Sequence, residues 1–343
     1  MGNTITIANR LNWIDWAKTI AITFVVFGHI PMVRGSFIQN YIVTFHMPLF
    51  FFISGYLTKL EFFNKDTFRK YTHTLIIPYL IYNIISYPFW TIKHYLEYPD
   101  SGWVEYIKPI IGVFFLQQET TYSSILAGVT WFLLALLFMK ILLSICNKYK
   151  YGHFVFLFIA IVCTVFYINN EFYRYTINLT RVGFTKCLPF YFIGFICKEK
   201  KVLPTDYQKS DWAVCTICIL ISLFAYQLCR VYYSLSTYGF FFWTICLSAI
   251  WGLLSLCRLL NHIYSKLILN ISIGTMVIMG LHGMLITTIN FIISKILYTT
   301  NITYSWYITV ILSICIVISF YPLIILFQKK YPFMLGKFIK STS

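Results

Sequence analysis

YIVTFHMPLFFFISGYLT, residues 41–58, runs for eighteen positions without an Asp, Glu, Lys or Arg. The hydrocarbon core of a bilayer is about 30 Å thick and needs a helix of about 20 apolar residues to cross it, so this stretch reads as a transmembrane helix. The stretch before it, WIDWAKTIAITFVVFGHIPMV over residues 13–33, has the same apolar character from position 16 onward. Working outward, further runs occupy 74–92, 130–146, 153–168, 184–197, 212–229, 239–257, 271–293 and 304–327; with 16–33 and 41–58 they make ten. The fold class this predicts is all-α: a polytopic integral membrane helical bundle of about ten transmembrane helices, built as one domain over residues 1–343. Pro48 and Gly55 predict a broken or kinked second helix, because proline removes a backbone donor. The piece Ile107–Leu116 reads as an interfacial or re-entrant segment.

Composition agrees. Of 343 residues, 59% are hydrophobic and 11% charged, against about 45–50% and about 25% in soluble domains, which excludes a water-soluble fold. Aromatic residues make up 20% of the chain, as suits rings anchored at two lipid interfaces. The formal charge of +16 signals either nucleic acid or membrane topology. Basic residues fall in short loops beside apolar runs and form no stripe with interleaved aromatics, so nucleic acid is not a predicted partner. With the N-terminus inside, 19 of the 27 Lys and Arg residues lie on the inner side and 8 on the outer. The positive-inside rule then predicts both termini in the cytoplasm and a place in the cell inner (plasma) membrane. Asn3, Asn9 and Asn12, with no small-residue cleavage site after the first run, predict that the first helix is retained. Residues 93–129 form the longest outer loop, acidic on balance, and predict a cap over a polar site. Ten cysteines lie mostly in apolar runs; Cys215 and Cys218 have no second pair to complete a zinc site, so no metal is predicted.

Ionisable side chains inside hydrocarbon are costly and mark functional candidates. His29 lies four residues before the outer end of the first run and His46 five residues after the outer start of the second. At about 1.5 Å per residue their depths are about 6 and 8 Å, so the two fit one cavity. Lys18 precedes His29 by eleven residues, about three turns, which puts both on one face about 16 Å apart. A snorkelling anchor paired with Asp15 is the plainer reading of Lys18; an interhelical hydrogen bond is the plainer reading of each histidine. His282 closes a partly polar stripe with Thr275 and Met279 at i, i+4, i+7 spacing. Arg69, Lys70 and His73 cluster at the inner foot of the third run, where they read as a topology determinant touching anionic membrane lipid or as a cradle for phosphates. No Walker A, G-x-G-x-x-G, nucleophile elbow or H-E-x-x-H motif occurs, so soluble-type nucleotide chemistry is not indicated.

WIDWAKTIAITFVVFGH (13–29), FHMPLFFFISGYL (45–57) and FRKYTHTLIIPYLIY (68–82), followed in order by WFLLALLF (131–138), LPFYFIGFICKE (188–199) and ISIGTMVIMGLHGMLI (271–286), resemble the acyltransferase family 3 membrane proteins. Within them the chain is most similar to the fucose 4-O-acetylase-like sugar O-acetyltransferases. The resemblance implies a ten-helix bundle that takes an acyl group, usually acetyl, from acetyl-CoA as co-substrate and delivers it to a hydroxyl of a sugar or cell-envelope glycan, free or lipid-linked. It carries the family's catalytic histidine to His29. Two departures stand out: Lys18 occupies a position where many members have Arg, and Arg69-Lys70 with His73 replaces two arginines three residues apart. A histidine suits the chemistry, since its ordinary pKa of about 6.5 lets it take a hydroxyl proton near neutral pH. His46 is the second catalytic candidate, orienting the acceptor or stabilising an oxyanion; Lys18, Arg69, Lys70, His73 and His282 are the substrate-binding candidates. A transporter or flippase for a lipid-linked glycan, with the histidines as a proton relay, is the alternative.

Overall fold

The computed structural model describes residues 10–33, 36–115, 129–168, 184–231, 235–299 and 302–337. Among them the only extended pairing is an isolated bridge between Met32 and Tyr304; everything else of regular structure is helical. The helices are α1 (Asn12–His29), α2 (Phe37–Leu57), α3 (Lys65–Tyr71), α4 (Ile77–Glu97), α5 (Trp103–Phe115), α6 (Trp131–Cys146), α7 (Gly152–Ile168), α8 (Thr185–Glu199), α9 (Asp211–Val231), α10 (Leu235–Leu259), α11 (Lys266–Ile273), α12 (Thr275–Leu297), α13 (Trp306–Ser319) and α14 (Tyr321–Lys330). A π-helical turn, Thr72–Ile76, joins α3 to α4 into one rod.

Among the described residues six segments are long and apolar enough to cross a membrane: α2, the rod Lys65–Glu97, α9, Phe241–Leu259, α12 and Trp306–Lys330. α6 and most of α7 are shorter apolar helices. The exposed residues Phe154, Phe158, Ile161 and Val165 of α7, and Ile217, Leu220, Ile221 and Phe224 of α9, repeat at helical spacing and give these helices outward apolar faces. The protein is therefore a polytopic membrane helical bundle. α1 is different. It packs against α2, α10, α11, α12 and α13, which shields Asp15 and Lys18 from lipid and explains why a helix so central carries charge.

Inside a bilayer, helices associate through close packing because lipid tails are as apolar as the side chains they would exclude. One close crossing is that of α2 and α8. A Cβ at Gly55 would stand 1.9 Å from the Tyr191 carbonyl oxygen, and one at Gly194 would stand 2.0 Å from that of Phe52. Only glycine fits either position. The expected break of the second helix is thereby corrected: α2 runs unbroken through Pro48, and Gly55 serves the close approach to α8. Arg258 of α10 is ion-paired to Asp211 of α9, with both side chains buried.

Two other expectations change. The run 271–293 is divided at Gly274 between α11 and α12, where a Cβ would collide with Ile324 at 2.4 Å. Part of the expected outer loop 93–129 is helix α5, which lies along α4: the Tyr79 hydroxyl donates to the Val113 carbonyl at 2.8 Å and that of Tyr87 to the Tyr106 carbonyl at 2.9 Å. Its apolar residues, Ile107 to Val113, favour α4 over a position above the bundle. Residues 116–128 lie outside the described part.

Candidate active site

The polar side chains gather at two ends of the bundle. At one end His29 is the last residue of α1, and its ring lies against that of His282 from α12, with centroids 5.1 Å apart at 58°. His29 is exposed, whereas His282 is fully buried. His46 of α2 is also buried and lies within electrostatic reach of His29 and of Lys186 on α8. The structure thus brings together His29, His46 and His282.

Local geometry fixes the chemistry of two of the rings. His282 Nδ1 is 2.8 Å from the Ile278 carbonyl and His46 Nδ1 is 3.1 Å from the Ile42 carbonyl. A carbonyl can only accept, so in each ring Nδ1 carries the proton and the neutral ring presents Nε2 as an acceptor. Nε2 of His282 is buried without a hydrogen-bond partner among the described residues. A buried polar atom left open costs about 1–3 kcal/mol unless something completes it. His29 itself is held by its backbone: Gln39 Nε2 donates to the carbonyls of Gly28 and Ile30, at 3.3 and 3.1 Å, satisfying carbonyls that the end of α1 leaves free. The chain beyond is tied down where Tyr304 N donates to the Pro31 carbonyl at 3.0 Å and the Tyr304 hydroxyl to Asn290 at 2.8 Å. A groove of about 950 Å³ opens beside this point, between Phe89 and Ile92 of α4, Thr287 and Phe291 of α12, and Pro31.

The opposite end is basic. Arg10 clamps Asp15 with two hydrogen bonds, of 2.7 and 2.5 Å, and Ser272 donates to the same carboxylate at 2.5 Å. Lys18 donates to the Ser272 carbonyl, near the C-terminal end of α11, where a cation suits the helix dipole. Asp15, read from the sequence as the partner of Lys18, is thus primarily the partner of Arg10, because the guanidinium fork fits a carboxylate better than a single ammonium does. Burial and the neighbouring Arg10 lower the pKa of Lys337 below the ordinary lysine value. Lys70 pairs with Glu61 instead of joining Arg69, which is exposed. His73 lies in the π turn, a feature often found at functional sites. Lys18 and Lys70 therefore belong to different networks.

Sequence reasoning missed three contributors. Gln39 carried no signal beyond being polar near a helix start. Lys186 and Lys140 each stand within or beside an apolar run, and Lys140 was counted as a topology charge although it lies six residues inside the end of α6.

Compared with known families, residues 11–336 match the family model described as an acyltransferase domain. No curated protein and no solved structure matches the chain.

Proposed function

Because the chain belongs to acyltransferase family 3 and is a membrane acyltransferase, we propose that it moves an acetyl group from acetyl-CoA to a hydroxyl of a sugar or cell-envelope glycan, with His29 as general base. The observation that carries this reading is the exposed His29 ring set against the buried His282, whose Nε2 has no hydrogen-bond partner among the described residues. His29 takes the proton of the acceptor hydroxyl as its oxygen attacks the thioester carbonyl. The carbon–sulfur bond then breaks, and the departing thiolate receives the proton from the imidazolium. His282 is a positioning residue: with its one N–H committed to Ile278, its open Nε2 is fitted to accept from the His29 ring and so favour the protonated form created during transfer. His46 has its one N–H committed to Ile42, so it is fitted to accept from the acceptor hydroxyl and orient it. The oxyanion role considered for it has no donor.

The donor enters from the basic end, with its phosphates near Lys18, Arg69, Lys70 and His73 and its pantetheine arm reaching the roughly 16 Å from Lys18 to His29 along α1. The charge split assigns that end to the cytoplasm and the histidine end to the outer face of the inner membrane, so donor and acceptor approach from opposite sides. The transport alternative loses its basis with the family match. Purified protein in detergent is expected to hydrolyse labelled acetyl-CoA, with water in the place of the acceptor hydroxyl; the absence of hydrolysis at every donor concentration would refute the reading.

A further inference from the structure

Lys140 is the residue the foregoing scheme leaves unused. It lies in WFLLALLFMKILLSIC, the whole of α6, six positions before Cys146, about 9 Å along the helix. A charge at that depth is expensive and calls for a compensating group. Its ammonium donates to the Thr58 hydroxyl at 3.2 Å and stands 5.8 Å from the centre of the Tyr71 ring. Lys198, from α8, donates to the Thr58 carbonyl at 3.4 Å. Lys140 lies within electrostatic reach of both Lys198 and Lys70, and of the carboxylate of Glu61, which is engaged by Lys70.

Two ammonium groups from separate helices thus converge on one residue at the C-terminal end of α2, and Lys70, paired with Glu61, lies within reach of one of them. The floor beneath is polar and buried: Thr58 shares a 3.0 Å hydrogen bond with Tyr191, and Tyr71 shares one of 3.0 Å with Ser144. The Gly55–Gly194 crossing brings α2 and α8 close enough for Thr58, Tyr191 and Lys198 to meet. Capping of helix carbonyls accounts for one lysine. It does not account for a second ammonium on the same threonine, which repels the first unless an anion sits near them.

We propose that Lys140 and Lys198, together with Lys70, form a binding site for a phosphate ester at the basic end. Its sources are the phosphates of the acyl donor or the headgroup phosphate of an anionic lipid; the donor source rests on the acetyl-CoA reading above, and the lipid source does not. Lysine suits either, as a mobile point charge with three donors.

The test uses the full chain in phosphatidylcholine nanodiscs, as wild type, Lys140→Gln, Lys198→Gln, the double variant, and Lys140→Arg with Lys198→Arg as charge-keeping controls. Thermal unfolding identifies any variant that fails to fold; Lys198→Gln, on a half-exposed residue, keeps the test alive if Lys140→Gln does not. Coenzyme A binding is read by calorimetry, and retention of phosphatidylglycerol from a mixture with phosphatidylcholine by native mass spectrometry. Each Gln change is expected to weaken coenzyme A binding about tenfold, the effect of about one charge-assisted hydrogen bond, and the Arg forms to restore most of it. If coenzyme A binding is unmoved, or absent in wild type, while phosphatidylglycerol retention falls in the Gln variants and returns in the Arg forms, the phosphate site stands with lipid as its source; absence in wild type refutes the donor reading alone. If neither ligand responds to the folded variants, the proposal is overturned and the lysines are caps on α2.

Discussion

The two ends of the bundle treat polar groups in opposite ways. At the basic end the acidic side chains are satisfied: Asp15 receives three hydrogen bonds from Arg10 and Ser272, and Glu61 is engaged by Lys70. At the histidine end a buried ring nitrogen of His282 is open and an exposed ring, that of His29, lies against it. Saturated networks hold shape and fixed charge, which suits the binding of an anionic donor. An open acceptor beside an accessible imidazole is a place where a proton can be received, which suits chemistry. The lesson is that charge count alone would have pointed to the basic end, whereas an open ring acceptor beside an accessible imidazole singles out the histidine end.

Breaking the saturated end has the larger consequence for stability. Asp15→Ala leaves Arg10 and Lys18 facing each other without the carboxylate, and is expected to cost about 3 kcal/mol, the low end for a broken buried pair because Arg10 keeps partial access to solvent. The shift is read by unfolding in detergent, and an unchanged midpoint would mean that the clamp contributes nothing. The histidine end should show the converse. His282→Phe keeps a ring in the packing and removes Nε2, so kcat is expected to fall about tenfold and the pH–rate profile to move. Loss of packing alone would leave that profile in place. An unaltered profile would return His282 to a purely structural role.

How much of this was legible in the sequence depends on the residue. The shared depth of His29 and His46 followed from counting along two adjacent runs, because helix rise is constant, and the inward stripe ending at His282 followed from its spacing. The meeting of His282 with His29 was not legible, since no pattern within one helix states which neighbour it faces. Gly55 was visible but misread: a glycine near a proline looks like a hinge, and only the position of the Tyr191 backbone shows that it is a contact. The π turn at Thr72–Ile76 has no composition that marks it. Lys140 and Lys198 look the same in sequence as lysines that set topology, because the difference lies in which other cations the fold brings beside them.

The separation of binding from chemistry is tested most directly by measuring, on one preparation of His29→Ala, both the turnover of labelled acetyl-CoA and the affinity for coenzyme A. The variant is expected to lose 10²- to 10⁴-fold in turnover, the usual effect of removing a general base, and to bind coenzyme A as wild type does, since the phosphates are held at the other end. Turnover within about threefold of wild type at equal protein level, or affinity falling in step with turnover, would contradict the account.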